Sequence, residues 1–172
     1  MSYGTDPFNE FPRTITAIHQ YFTNDTITVT GTISPGVLSG LLVGKNVLLI
    51  PEQETGDPAV WTTLGPVIRQ FLTNGGSVIF CGSYSSESNC MFNTGVFSGT
   101  YNSNVEFQTL HVLNLTDSLT TGLPSTSFSA SSATWAMNIT NSDKVTVVDY
   151  LGSDVVTYRY FGSGKAIFIG FD

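Results

Sequence analysis

Cys81 has more chemical potential than any other side chain in this 172-residue chain. It closes a short, almost unbroken apolar run in Asn74–Ser83, "NGGSVIFCGS". A thiol at a strand end becomes a nucleophile when a helix N-terminus or a nearby cation lowers its pKa, and when a base lies within hydrogen-bond reach. The chain holds 2 histidines, His19 and His111. Periodicity puts the first on a helix face and the second inside a strand, and nothing in the spacing pairs either with the thiol. Catalysis by Cys81 is therefore not expected. Cys90 follows at a spacing that suits neither a zinc knuckle nor a Cys-x-x-Cys redox pair. Cysteine is among the most buried residue types, so two buried thiols are the favoured reading. A Cys81–Cys90 disulfide, which would imply an oxidising compartment, is the alternative.

The second group with chemical potential is a set of oxygen donors. Glu52, Gln53, Glu54 and Asp57 follow one apolar run, "NVLLIPEQE" (Asn46–Glu54), while Ser83, Tyr84, Ser85, Ser86 and Glu87 follow the other. Open parallel sheets bind ligands in the crevice at the carboxyl ends of their strands. Glu52, Glu54, Asp57, Ser83, Tyr84 and Glu87 are the expected crevice positions, joined by Asp6 and Asn9 from the first loop. Hard oxygens of this kind hold Ca²⁺ or hydroxyl-rich sugars. A solvated acidic loop is the competing and favoured reading, because no spacing matches a calcium loop. Trp61 and Trp135 could stack on sugars, although tryptophans in an α/β domain belong more often to the core.

Other motifs carry less. Gly164-Lys165 is not a phosphate loop: Arg159 stands where the motif needs glycine, and Ala166 replaces its Ser/Thr. No Gly-x-Gly-x-x-Gly follows a strand, so no dinucleotide and no other cofactor is expected. Sequons at Asn24, Asn114 and Asn138 are attributed to chance in a chain rich in Asn and Thr. The net charge of −7, with 6 scattered Lys and Arg, provides no basic stripe for nucleic acid or an anionic membrane. No apolar run approaches the ~20 residues of a membrane span. Charged residues make up 11% of the chain, so Ser, Thr, Asn and Gly must build the polar surface. That composition hints at an exported bacterial protein, extracellular or at the cell surface. The start, "MSYGTDPFNEF", lacks the charged and apolar regions of a signal peptide, which is also compatible with a mature domain from which one was removed.

The elements that would position these residues follow from periodicity. Between the two apolar runs, Trp61, Leu64, Ile68, Phe71 and Leu72 recur at helical spacing, which makes a β-α-β unit with a parallel sheet. Gly65-Pro66 is expected to kink or restart this helix, and Gly75-Gly76 to stop it. Residues 1–10 form a polar lead, the stub of a first strand. Pro12–Phe22 is expected to be a helix, with Phe11, Ile15, Ile18, His19 and Phe22 on one face. Asp25–Ile33, "DTITVTGTI", alternates as a half-exposed edge strand. "SPGVLSGLL" reads as a short helix. Residues 83–104 read as a long polar loop, Val105–Leu115 as a strand, and "TDSLTTGLPSTSFSASSAT" as a turn-rich crossing. "KVTVVDYL", "DVVTYRYF" and "KAIFIGF" close the chain as an antiparallel meander with tight turns at Gly152-Ser153 and Gly162-Ser163-Gly164.

The order "GKNVLLIPEQ", helix, "FLTNGGSVIFCGS", "LTDSLTTGLP" and "YRYFGSGKAIFIGFD" resembles the class I glutamine amidotransferase-like superfamily. It is most similar to the non-catalytic branch of bacterial surface and carbohydrate-active proteins. The resemblance covers residues 12–172 and implies a flavodoxin-like, three-layer α/β/α sandwich with a mostly parallel sheet and the C-terminal antiparallel meander. It makes residues 1–172 a single domain; the family's first strand and last helix are missing, which leaves two expectations, a domain excised from a longer chain or a sheet completed by a neighbour. Catalytic relatives carry a cysteine inside Gly-x-Cys-x-Gly and draw a His and a Glu from late in the chain. Here Ile79 and Ser83 replace both glycines, no His follows His111, and no Glu follows Glu106. The nucleophile position falls on Cys81 or Gly82, with Gly82 favoured by strand length. The resemblance thus implies a non-enzymatic structural or assembly module that associates with itself or with neighbouring domains, as relatives do in β-galactosidase trimers. A carbohydrate- or metal-binding module using the acidic crevice is the alternative.

Overall fold

The computed structural model describes residues 1–8, 10–22, 26–82, 90–123 and 125–171. Its elements run α1 (Glu10–Tyr21), α2 (Pro35–Leu41), β1 (Val47–Ile50), α3 (Pro58–Thr73), β2 (Ser77–Cys81), α4 (Cys90–Asn93), β3 (Gly99–Asn104) and β4 (Thr109–Val112). A 3-10 turn at Ser118–Thr120 leads to β5 (Ser127–Ser129), β6 (Trp135–Ile139), β7 (Val145–Tyr150), β8 (Ser153–Phe161) and β9 (Gly164–Ile169). The strands form one mixed sheet in the order β1-β2-β9-β8-β7-β4-β5, with β6 joined to β8 and β3 to β6.

The β1-α3-β2 crossover forms as its sequence dictates. Asp57 caps α3 by accepting from Ala59 N at 2.8 Å, and Pro58 occupies the first turn, where no backbone donor is needed. Trp61, Leu64, Ile68, Phe71 and Leu72 are buried along one stripe against the sheet. The helix runs unbroken through Pro66, so the expected kink or restart at Gly65-Pro66 does not divide it. Gly65 has a different reason to be glycine. A Cβ there would lie 2.6 Å from the carbonyl oxygen of Thr94, so its absence lets α3 approach the turn after α4. Gly75 ends the helix with a φ of +97°, in the left-handed region.

β1 pairs with β2 and β2 with β9 in parallel, and the other ladders are antiparallel. The expectation of a mostly parallel sheet is therefore corrected to a mixed one. A parallel neighbour needs a long crossover, whereas tight turns join β7 to β8 and β8 to β9 and return the chain antiparallel each time. The final three strands make the expected meander, and β9 then runs beside β2. The core divides across β9: Ala166 and Phe168 join a cluster with α3, β1 and β2, while Ile169 packs against a second cluster with Val148, Val155 and Val156.

Four expectations fail. The described part of the Asp25–Ile33 strand, Thr26–Ile33, is extended but belongs to no strand, and Val29 and Ile33 are 52% and 53% exposed. Its threonines bond locally instead: Thr30 Oγ1 accepts from Thr32 N, and Thr32 Oγ1 from Ser34 N, both at 3.1 Å. Such local bonds compete with ladder formation. The polar 83–104 stretch holds α4 and β3, where Tyr101 rests against Trp135 at 6.5 Å. Residues 83–89 lie outside the described residues. Within Val105–Leu115 only Thr109–Val112 is strand, because Phe107 turns the chain at a φ of +57°. The N-terminal lead is not a strand either. Met1 N nevertheless donates to the Leu49 carbonyl and Ser2 N to that of Thr30. Among the described residues no helix is long and apolar enough to cross a membrane.

Candidate functional site

Cys81 is the last residue of β2, opposite Ile169 of β9, and is half-buried. Both cysteines are thiols rather than a disulfide. Cys90 lies buried at the start of α4, and burial pushes its thiol up to about 12, so it stays protonated at neutral pH. His111 sits on β4, separated from β2 by β9, β8 and β7. At ~4.8 Å per strand that is roughly 19 Å of sheet, far beyond proton-transfer reach. Its Nδ1 instead lies 3.7 Å from Asp149 Oδ1 on β7. His19 is on the exposed side of α1.

The residue after the strand is more informative. Gly82 is buried, and a Cβ built on it would lie 2.5 Å from both the Gly170 carbonyl oxygen and Trp135 Cδ1. The cause is the entry of β6. Trp135 N donates to the Gly170 carbonyl at 2.7 Å, and Gly170 N donates to that of Val155 at 2.6 Å. The backbone of residues 134–135 therefore crosses the carboxyl end of β2 and β9. Gly170 is equally tight, with a built Cβ 2.1 Å from the Trp135 carbonyl oxygen. No side chain, nucleophilic or otherwise, fits at position 82 without moving backbone.

The acidic crevice is occupied on its β1 side by the start of the chain. Glu54 N and Thr55 N donate to the Gly4 carbonyl at 2.7 and 2.9 Å. The Tyr3 hydroxyl accepts from Asp57 N at 2.8 Å, and its ring meets Trp61 edge-on at 6.0 Å. Asp57 is committed to capping α3. Glu52 is half-buried and Glu54 exposed, whereas Gln53 between them is buried, its Nε2 donating to the Pro51 carbonyl at 2.9 Å. Asp6 accepts from Phe8 N at 2.7 Å. Ser83, Tyr84 and Glu87, with Ser85, Ser86 and Asn9, lie outside the described residues. Among the described residues no cluster of three His, Cys, Asp or Glu side chains could hold a metal ion.

Sequence reasoning missed a different polar centre. Asp154, fully buried at the start of β8, binds Lys144 Nζ at 2.6 Å, Ile139 N at 3.0 Å and the Thr146 hydroxyl. Lys144 Nζ also donates to the Ile139 carbonyl at 2.7 Å. Beside it, Ser153 Oγ donates to Asn138 Oδ1 at 3.0 Å and accepts from Asn102 Nδ2 at 2.8 Å. These bonds tie β3, β6, β7 and β8 together where the sheet branches. The available signal was an aspartate opening an apolar strand with a lysine one hairpin earlier. The "LTDSLTTGLP" stretch is likewise structural. Asp117 accepts from Leu119 N and from the Tyr158 hydroxyl, both at 2.9 Å, and so fastens the 3-10 turn to β8.

No family model matches the chain, and no curated protein does. Solved structures do. The N-terminal domain of mmIFT52 is similar with a TM-score of 0.64 at 14% identity, over 99% of this chain and 84% of that one. A cytoplasmic protein of Salmonella typhimurium, STM3548, is similar with a TM-score of 0.59 at 12% identity, over 84% of this chain. The match spans 65% of that protein's length. The exo-β-1,4-mannosidase Op5Man5 of Opitutaceae bacterium strain TAV5 is similar over 98% of this chain but 28% of its own, with a TM-score of 0.56 at 12% identity. At these identities the likeness is one of fold: an α/β domain with a mixed sheet.

Proposed function

We propose that the chain is a non-catalytic module of the class I glutamine amidotransferase-like kind, with a flavodoxin-like, three-layer arrangement. It serves as a structural or assembly domain of an exported bacterial protein and associates with itself or with adjoining domains. The observation that carries this reading is the closure at Gly82, where a catalytic relative would place its nucleophile and this chain has no room for a Cβ. The crevice adds support, because Asp57 caps a helix and Tyr3 and Gly4 occupy the neighbouring space. The occurrence of a similar fold within the longer Op5Man5 chain fits a modular role. Light scattering tests the assembly part. Defined oligomers, or a stable complex with the adjoining domains, are expected, and a strict monomer both alone and with those domains attached refutes it.

A further inference from the structure

We draw no further inference here: the strongest candidate, the apolar groove between α1 and the extended Thr26–Ile33 segment, lined by Phe11, Pro12, Ile15 and Val29, carries nothing, because nothing in the structure shows what covers it.

Discussion

Replacing Asp154 by alanine removes a fully buried carboxylate at the branch of the sheet. Three donors converge on it: the Lys144 ammonium, the Ile139 amide and the Thr146 hydroxyl. Breaking a buried ion pair from one side costs about 3–5 kcal/mol, because the remaining charge stays desolvated. Lys144 keeps 26% of its side chain exposed, so its ammonium rehydrates in part and the ionic contribution falls to the low end of that range. The Ile139 amide, by contrast, loses its acceptor in a buried strand, at about 1 kcal/mol or more. We expect Asp154→Ala to lose about 3–4 kcal/mol in total. For a chain of this length that corresponds to a fall in Tm on the order of 10 °C. The comparison that gives the number meaning is Asp154→Leu with Lys144→Met, which removes both charges and keeps apolar bulk. That pair should recover much of the loss, since apolar replacements of buried ion pairs are often neutral. Urea titration followed by circular dichroism reads both variants. A loss below about 1 kcal/mol for Asp154→Ala, or a double variant as unstable as the single one, refutes the reasoning.

The remaining predictions concern Gly82, Cys90 and Asp57. Gly82→Ala should destabilise by about 1–3 kcal/mol in denaturant melts, because its Cβ must displace Gly170 or Trp135, and Gly82→Cys should bring no hydrolase activity. Cys90, with its thiol raised from about 9 to about 12, contributes stability that is complete below pH 9 and is lost as pH rises toward 12. Melts at pH 8 and pH 11 should therefore converge when Cys90 is replaced by alanine, allowing for other alkaline titrations common to both proteins. Asp57→Ala should cost about 1 kcal/mol through loss of the α3 cap, and Asp57→Asn should restore most of it.

How much of this was legible in the sequence depended on how local each signal was. The α3 crossover was readable because the apolar stripe and the Gly75-Gly76 stop lie within one stretch, and the last three strands because tight turns separate strongly β-forming runs. β6 was not readable. Trp135–Ile139 follows a Ser-rich crossing, and it becomes a strand through pairing with β3 and through one contact with β8 at Met137 and Asp154. Asp25–Ile33 failed in the opposite sense, since its alternation is strong but its threonine hydroxyls accept from backbone amides two residues on. At the candidate site, strand length favoured Gly82 over Cys81 as the nucleophile position; β2 ends at Cys81, and Gly82 is the residue that follows it. Its closure was invisible, because the atoms that fill the space belong to Trp135 and Gly170, remote in sequence. The capping role of Asp57 was missed, although its place before Pro58 carries that signal, and so was the burial of Asp154.

The central claim, that the end of β2 is closed to nucleophilic chemistry, is tested most directly by the alkylation rate of Cys81 in the native protein. Iodoacetamide labelling with mass-spectrometric site assignment measures it. The account predicts modification of Cys81 no faster than that of a cysteine in an unfolded peptide at the same pH, with Cys90 untouched until the protein unfolds. Labelling of Cys81 many times faster than the peptide, and persisting below neutral pH, would reveal an activated thiolate and contradict the account.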